Sequence, residues 1–134
     1  MPQLFDFKDG NGPVPFHLHK KGEGKVAVSA TVSDSAFIGK DAQVSGNAQV
    51  FGDARVFGDA QVFGGARVFG NAQVFGDARV SGDAYVSGNA QVYGNAWVSG
   101  NAYVSGNAYV FGSVVLTTGT HMGEANQEKN IINI

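Results

Sequence analysis

The chain has 134 residues, of which 43% are hydrophobic, 20 are glycine and none is cysteine, and its formal net charge is -2. This length suits one domain, the lack of cysteine excludes disulfides and thiolate chemistry, and the slightly acidic balance argues against nucleic-acid binding. No stretch is long and apolar enough to span a membrane, and residues 1–6 have no features of a secretion signal, so we expect a cytoplasmic protein.

Residues 1–25 are rich in glycine, histidine and lysine and lie outside the repeat described below, so we expect an N-terminal cap or loop segment. Two histidines two residues apart face the same way in an extended segment. Together with the lysines they could bind a phosphate or another anion, because neighbouring glycines allow close backbone approach. A metal site formed by the two histidines is a weaker alternative, because no carboxylate ligand accompanies them. A solvated loop without a ligand is the third alternative. The candidate ligand-binding residues are His17, His19, Lys20, Lys21 and Lys25.

From Val26 to Leu116 an aliphatic residue recurs every six positions, and a small residue, almost always alanine, follows four residues after each. Within a unit such as Val44–Gln49, polar and apolar residues alternate as in a strand, and the glycine followed by Asn or Asp favours a tight corner. Three units of six residues then make one coil, with the aliphatic residues and alanines inside. About five coils follow, which stack to a height of roughly 25 Å at one strand spacing per coil.

The sustained repeat resembles the hexapeptide-repeat family, whose fold is the left-handed parallel β-helix. The resemblance covers roughly residues 26–117 and implies an all-β triangular solenoid with short caps, 1–25 and 118–134, at its two ends. In the common family pattern glycine directly follows the aliphatic residue, whereas here Phe, Ser or Tyr stands between them. The chain therefore looks most like the short hexapeptide-repeat proteins of phage and bacterial genomes, which implies the host cytoplasm or a virion as its location.

Residues 118–134 end in the apolar stretch Ile131–Ile134, which is suited to docking as a C-terminal cap or tail. His121 and Glu124 lie in this segment, where ordinary surface roles are the plain expectation for both. Open solenoid ends expose unpaired strand edges, so caps at both ends are expected.

Catalytic chemistry has little support in the repeat. The resemblance to acyltransferases of this fold implies a catalytic histidine and loops inserted between coils, but no histidine and no insertion occurs between Val26 and Thr120. Carbonic anhydrases of this fold hold zinc with three histidines, and no residue here matches those positions. We therefore expect no catalytic residue, no metal ligand and no cofactor.

The outward residues sort onto three faces when the repeat is read with a period of eighteen. One face stacks four aromatic residues, and such a stripe favours a subunit interface, with stiffening of the sheet as the alternative. Family members commonly form trimers with parallel axes, so the resemblance implies a homotrimer. The predicted interface residues are Phe57, Phe75, Tyr93 and Phe111, with Tyr109 in the adjacent column.

These observations favour a non-enzymatic homotrimeric binding protein that holds a partner protein or a small anionic, nucleotide-like ligand between subunits. For a phage protein the resemblance implies action against a host defence. The alternatives are a structural spike, tip or spacer of a virion or surface assembly, and an acyltransferase-like enzyme.

Overall fold

The computed structural model describes residues 4–7, 12–121 and 124–125. These residues form short β-strands and contain no helix that could cross a membrane. In chain order the strands are β1 (Leu4–Asp6), β2 (Pro13–Leu18), β3 (Lys25–Ala27), β4 (Thr31–Val32), β5 (Phe37–Ile38), β6 (Gln43–Val44), β7 (Gln49–Val50), β8 (Arg55–Val56), β9 (Gln61–Val62), β10 (Arg67–Val68), β11 (Gln73–Val74), β12 (Arg79–Val80), β13 (Tyr85–Val86), β14 (Gln91–Val92), β15 (Trp97–Val98), β16 (Tyr103–Val104), β17 (Tyr109–Val110), β18 (Val115–Leu116), β19 (Thr120–His121) and β20 (Glu124–Ala125).

The strands build three sheets whose order follows every third strand of the repeat. Sheet 1 runs β1-β2-β3-β6-β9-β12-β15-β18, sheet 2 runs β4-β7-β10-β13-β16-β19, and sheet 3 runs β5-β8-β11-β14-β17-β20. In the repeat, neighbouring strands are parallel and pair residues eighteen apart, as Val50 with Val68 and Val68 with Val86. The predicted parallel β-solenoid of about five coils is thereby confirmed, whereas its left-handedness stays a prediction.

The core is a single column of valines and alanines enclosed by the three sheets. The inward positions of the repeat are buried from Val26 to Leu116, except for Val32, which is half-buried and packs against the core. Alanine suits one inward position because the three sheets come close together there, and valine fills the wider one. Burial of these side chains is the main stabilising contribution, at about 25 cal/mol per Å² of apolar surface.

The corner glycines are required by both backbone angle and space. Gly64 and Gly88 have φ angles of 68° and 65°, in the left-handed region that side chains with a Cβ disfavour. A Cβ added to Gly88 would lie 2.9 Å from the backbone nitrogen of Gly106 in the next coil. The corner predicted from the sequence is therefore confirmed, and the stacking of the coils restricts it further.

The N-terminal segment extends sheet 1 with a hairpin. Strand β1 pairs antiparallel with β2, and β2 pairs antiparallel with β3. The rings of Phe5, Phe7 and Phe16 pack together, with the Phe5 and Phe7 centroids 4.8 Å apart, and Phe7 is buried. This small aromatic cluster joins β1 and β2, and the pairing of β2 with β3 attaches the hairpin to the first coil.

The loop that follows the hairpin pairs with the outer edge of β5. The Ile38 nitrogen donates to the Lys21 carbonyl at 3.0 Å, and the Gly24 nitrogen donates to the Ile38 carbonyl at 2.9 Å. The Nε2 atom of buried His19 lies 2.9 Å from the Ala36 carbonyl oxygen. These bonds satisfy backbone groups that would otherwise form an open sheet edge.

At the other end the parallel pairing continues past residue 117 with a shorter distance between paired residues, which is seventeen at β19 and fifteen at β20 instead of eighteen. His121 pairs with Val104, seventeen residues earlier, and so occupies an inward position that valine occupies in the preceding coils. It is 3% exposed, and its Nε2 atom lies 2.8 Å from the Thr118 carbonyl oxygen. A polar ring thus closes the apolar column.

Candidate functional site

The two histidines of the N-terminal segment do not face the same way. His17 is exposed on β2, whereas His19 is buried against the backbone of Ala36. The expected alternation fails because β2 ends at Leu18, so that His19 lies outside the strand, directly before the turn at residues 20–22. The pair therefore offers no common ligand position.

The three predicted lysines are also spread over different surroundings. Lys20 forms an exposed ion pair with Asp34 at 3.1 Å, and the Lys25 ammonium lies 5.1 Å from the centroid of the Phe5 ring. Lys21 donates to the Ser35 carbonyl at 3.2 Å. Of the five predicted ligand-binding residues, Lys21 alone lines one of the two grooves described next.

The larger groove, here called the sheet 3 groove, has a volume of about 750 Å³. Two columns of side chains form it, each with members eighteen residues apart in successive coils. One is the outward column of β5, β8 and β11, and the other is the corner column that precedes it. Its lining residues are Phe37, Arg55 and Gln73, then Ser35, Asp53 and Asn71, with Lys21 and Phe57 at its margins.

Charge and aromatic surface coexist in the sheet 3 groove. Lys21 and Arg55 supply two positive charges and Asp53 one negative charge, so the groove carries a net charge of +1 at neutral pH. Among the residues that the structure describes, neither Arg55 nor Asp53 forms an ion pair. The rings of Phe37 and Phe57 add flat apolar surface beside these groups. The arrangement can hold a small anion that also carries a ring.

A second groove, here called the sheet 1 groove, repeats this construction on the neighbouring face. Its volume is about 420 Å³, and its columns belong to β9, β12 and β15 and to the corner before them. The outward column is Gln61, Arg79 and Trp97, and the corner column is Asp59, Asp77 and Asn95. The net charge of its side chains is −1, the opposite of the sheet 3 groove.

The predicted aromatic ladder is present on sheet 3. The rings of Phe57 and Phe75, Phe75 and Tyr93, and Tyr93 and Phe111 stack nearly parallel, with centroids 4.9, 4.9 and 5.2 Å apart. The four rings are half-buried because each covers the faces of its neighbours, whereas Tyr109 in the adjacent column is exposed. The ladder forms one continuous aromatic strip that begins at the rim of the sheet 3 groove, where Phe57 belongs to both.

Of the residues that line the sheet 3 groove, Lys21 was predicted as a ligand-binding residue and Phe57 as an interface residue, and the others were not assigned to a site. The signal was present in the period of eighteen, which places Asp53 beside Asn71 and Arg55 beside Gln73 in successive coils. No group of three or more histidine and acidic side chains suited to a metal ion occurs within 4–7, 12–121 and 124–125.

Comparison with known proteins finds a similarity to one family of repeats. Residues 48–64, 72–88 and 90–105 match the family model of the YdcK β-solenoid repeat. No curated protein and no solved structure matches the chain. The matched segments lie within the parallel coils described above.

Proposed function

Because the chain is a repeat-based β-solenoid protein, we propose that it is a non-enzymatic, homotrimeric binding protein that holds a small anionic ligand in the sheet 3 groove. The observation that carries the proposal is the presence of Lys21 and Arg55 beside two phenyl rings in one groove. We further propose that the coil is left-handed and that the protein acts against a host defence, as the resemblance to short phage proteins implies.

The aromatic ladder is the proposed subunit interface. Its rings already cover one another, so a partner needs to bury only their outer edges and the exposed ring of Tyr109. A strip that runs along the solenoid favours side-by-side packing with parallel axes, and a closed ring of three copies would use the same strip in every subunit. Because Phe57 lies in both the ladder and the groove, this packing would place each groove at a subunit boundary.

The ligand class follows from the groove chemistry. The ammonium of Lys21 and the guanidinium of Arg55 suit a phosphate or carboxylate, and charge-assisted hydrogen bonds to such groups are strong. Phe37 and Phe57 offer flat surfaces to a ring, while the side-chain amides of Asn71 and Gln73 can bind its polar edge. A nucleotide-like molecule combines these features within a volume typical of small-ligand sites.

Native mass spectrometry and calorimetry test the two parts separately. Native mass spectrometry of the purified protein should give a trimer, and an exclusively monomeric protein would contradict the assembly. Calorimetry with ADP as the probe should show binding that Arg55→Ala weakens by about tenfold, the loss expected for one charged hydrogen bond. Arg79→Ala removes the equivalent arginine from the sheet 1 groove and should leave ADP binding unchanged. Equal effects of the two variants would contradict the assignment of the groove.

A further inference from the structure

The sheet 1 groove is formed by residues that do not belong to the proposed anion-binding site in the sheet 3 groove. Gln61 pairs with Arg79, and Arg79 with Trp97, in successive coils of sheet 1. The corner residues Asp59 and Asn95 lie at the two ends of the second column. The groove thus spans three coils, a length of about 10 Å at one strand spacing per coil.

Its charges disfavour an anion. Asp59 and Asp77 are exposed carboxylates, and Arg79 is the single cation that lines the groove. Among the described residues none of these three forms an ion pair, so their hydrogen-bonding capacity faces solvent. Carboxylates accept, a guanidinium donates, and the amides of Gln61 and Asn95 do both. A ligand with many hydroxyl groups, each a donor and an acceptor, matches this set better than a phosphate does.

Trp97 supplies an oriented aromatic surface in the same groove. Its Nε1 atom donates to the Ser81 hydroxyl at 3.1 Å, and the Arg79 guanidinium lies 5.4 Å from its ring centroid. The indole N–H is therefore already satisfied. Arg79 lies over one face of the ring, and the residue as a whole is 38% exposed, so the carbon surface that Arg79 leaves uncovered is open to a ligand. Pyranose rings carry C–H groups on their faces, and these pack on aromatic rings with weak C–H contacts.

We propose that the sheet 1 groove binds a neutral oligosaccharide. One sugar ring packs on Trp97, and its hydroxyl groups bond to Asp77, Arg79 and Asn95. The next ring along the groove reaches Asp59 and Gln61. The surface beyond Trp97 suits continuation of a neutral chain, since residues 84–123 contain no Asp, Glu, Lys or Arg.

The single tryptophan of the chain makes the test direct, because Trp97 lies in the proposed site. Its fluorescence should change saturably when maltohexaose, cellohexaose or mannohexaose is added to the assembled protein. Weak binding, with a Kd on the order of 1 mM, is expected for an open groove of this size. Raising the salt concentration should leave the affinity unchanged, because a neutral ligand releases no counterions.

Calorimetry with the best of the three sugars then tests the residues. Trp97→Ala should abolish binding, and Asp77→Asn, which keeps the size of the side chain, should weaken it by about tenfold. Asp83→Asn is the matched control, since Asp83 occupies the same place in its repeat but lies outside the groove. Circular dichroism and thermal melting check that each variant is folded.

Three outcomes would overturn the proposal. The first is the absence of a saturable change with all three sugars, and the second is an equal loss of binding in Asp77→Asn and Asp83→Asn. The third is tighter binding of a polygalacturonate oligomer than of any neutral sugar, which would show that the groove selects anions. Because the sugar assay does not involve Arg55 or Lys21, its result is separate from that of ADP binding.

Discussion

The N-terminal half of the solenoid, residues 26–83, and the C-terminal half, residues 84–121, share one backbone and one core but differ in their outer side chains. Buried valines and alanines continue through both halves, with the same pairing distance of eighteen residues up to β18. The N-terminal half carries ten Asp, Lys and Arg residues, whereas the C-terminal half carries none and exposes Trp97, Tyr103 and Tyr109. The buried core is therefore compatible with different side chains in the outward columns.

This separation explains how one scaffold holds two unlike grooves. Both are an outward column beside a corner column over three coils, and only the side chains in those columns differ. A substitution outside should alter binding with little effect on folding, and a substitution inside should do the reverse.

The largest effect is expected in the core, and it should be equal in the two halves. Val62→Ala and Val98→Ala remove the same buried group from sheet 1, two coils apart. Each should lower the free energy of unfolding by about 2 to 3 kcal/mol, through lost apolar burial and a residual cavity. Urea denaturation measures both variants, and a difference well above ~0.5 kcal/mol between them would show that the halves have different cores.

Corner glycines should give the next largest effect, again equal in both halves. Gly64→Ala and Gly88→Ala force a side chain into the left-handed region and towards the next coil, and each should cost about 1 to 2 kcal/mol. Gly65→Asn is the matched control, because Gly65 stands where other repeats carry Asn or Asp. The control should lose no stability in thermal melting. A destabilised control would mean that the corner as a whole, and not the positive φ angle, resists substitution.

Outer aromatic residues should contribute least to the free energy of unfolding, and a residue of the ladder should contribute more than an exposed tyrosine outside it. Phe75→Ala breaks two parallel stacks in the ladder and should cost about 1 kcal/mol. Tyr103→Ala removes an exposed ring with one inclined neighbour, Tyr85, and should cost less than about 0.5 kcal/mol. Both are measured by urea denaturation at several protein concentrations, because trimer formation would add a concentration-dependent term for Phe75→Ala. A larger cost for Tyr103→Ala would contradict the stabilising role of the ladder.

The sequence predicted the fold well because the repeat determines every inward position. A period of six assigns Val50, Val68 and Val86 to the core, and the glycine that follows two residues later assigns the corner. The aromatic ladder followed from the period of eighteen, since residues that share a column must be neighbours in a parallel stack. These features depend on spacing alone, and spacing is visible in one sequence.

The ends of the solenoid could not be predicted in the same way. Nothing in the spacing indicates that β2 pairs antiparallel with β3, or that His19 leaves the strand to meet the Ala36 carbonyl. At the other end a step of six from Leu116 reaches Met122, but the last turn is one residue shorter and places His121 inside. Such changes depend on the hydrogen bonds that a particular end needs, so they require the structure.

The candidate site could be predicted only in part, because it also depends on contacts that the spacing does not indicate. The charged residues of 17–25 are conspicuous because the repeat is absent there, and Lys21 is among them. Arg55 and Arg79 lie in regular outward columns, where the sequence favours ordinary surface residues beside solvated aspartates. Their grooves are recognised only when the neighbouring coils and corners are seen together.

The uniform pairing distance has a consequence for the speed of folding. Proteins made of sheets usually fold slowly, since their strands must close long loops before any pairing is gained. Here nearly every pairing in the repeat joins residues eighteen apart in a chain of 134, a separation of about 0.13 of its length, which is within the range of mixed α/β domains. Each completed coil is also a template for the next one on either side. The protein should therefore grow coil by coil and fold faster than a β-sandwich of similar size.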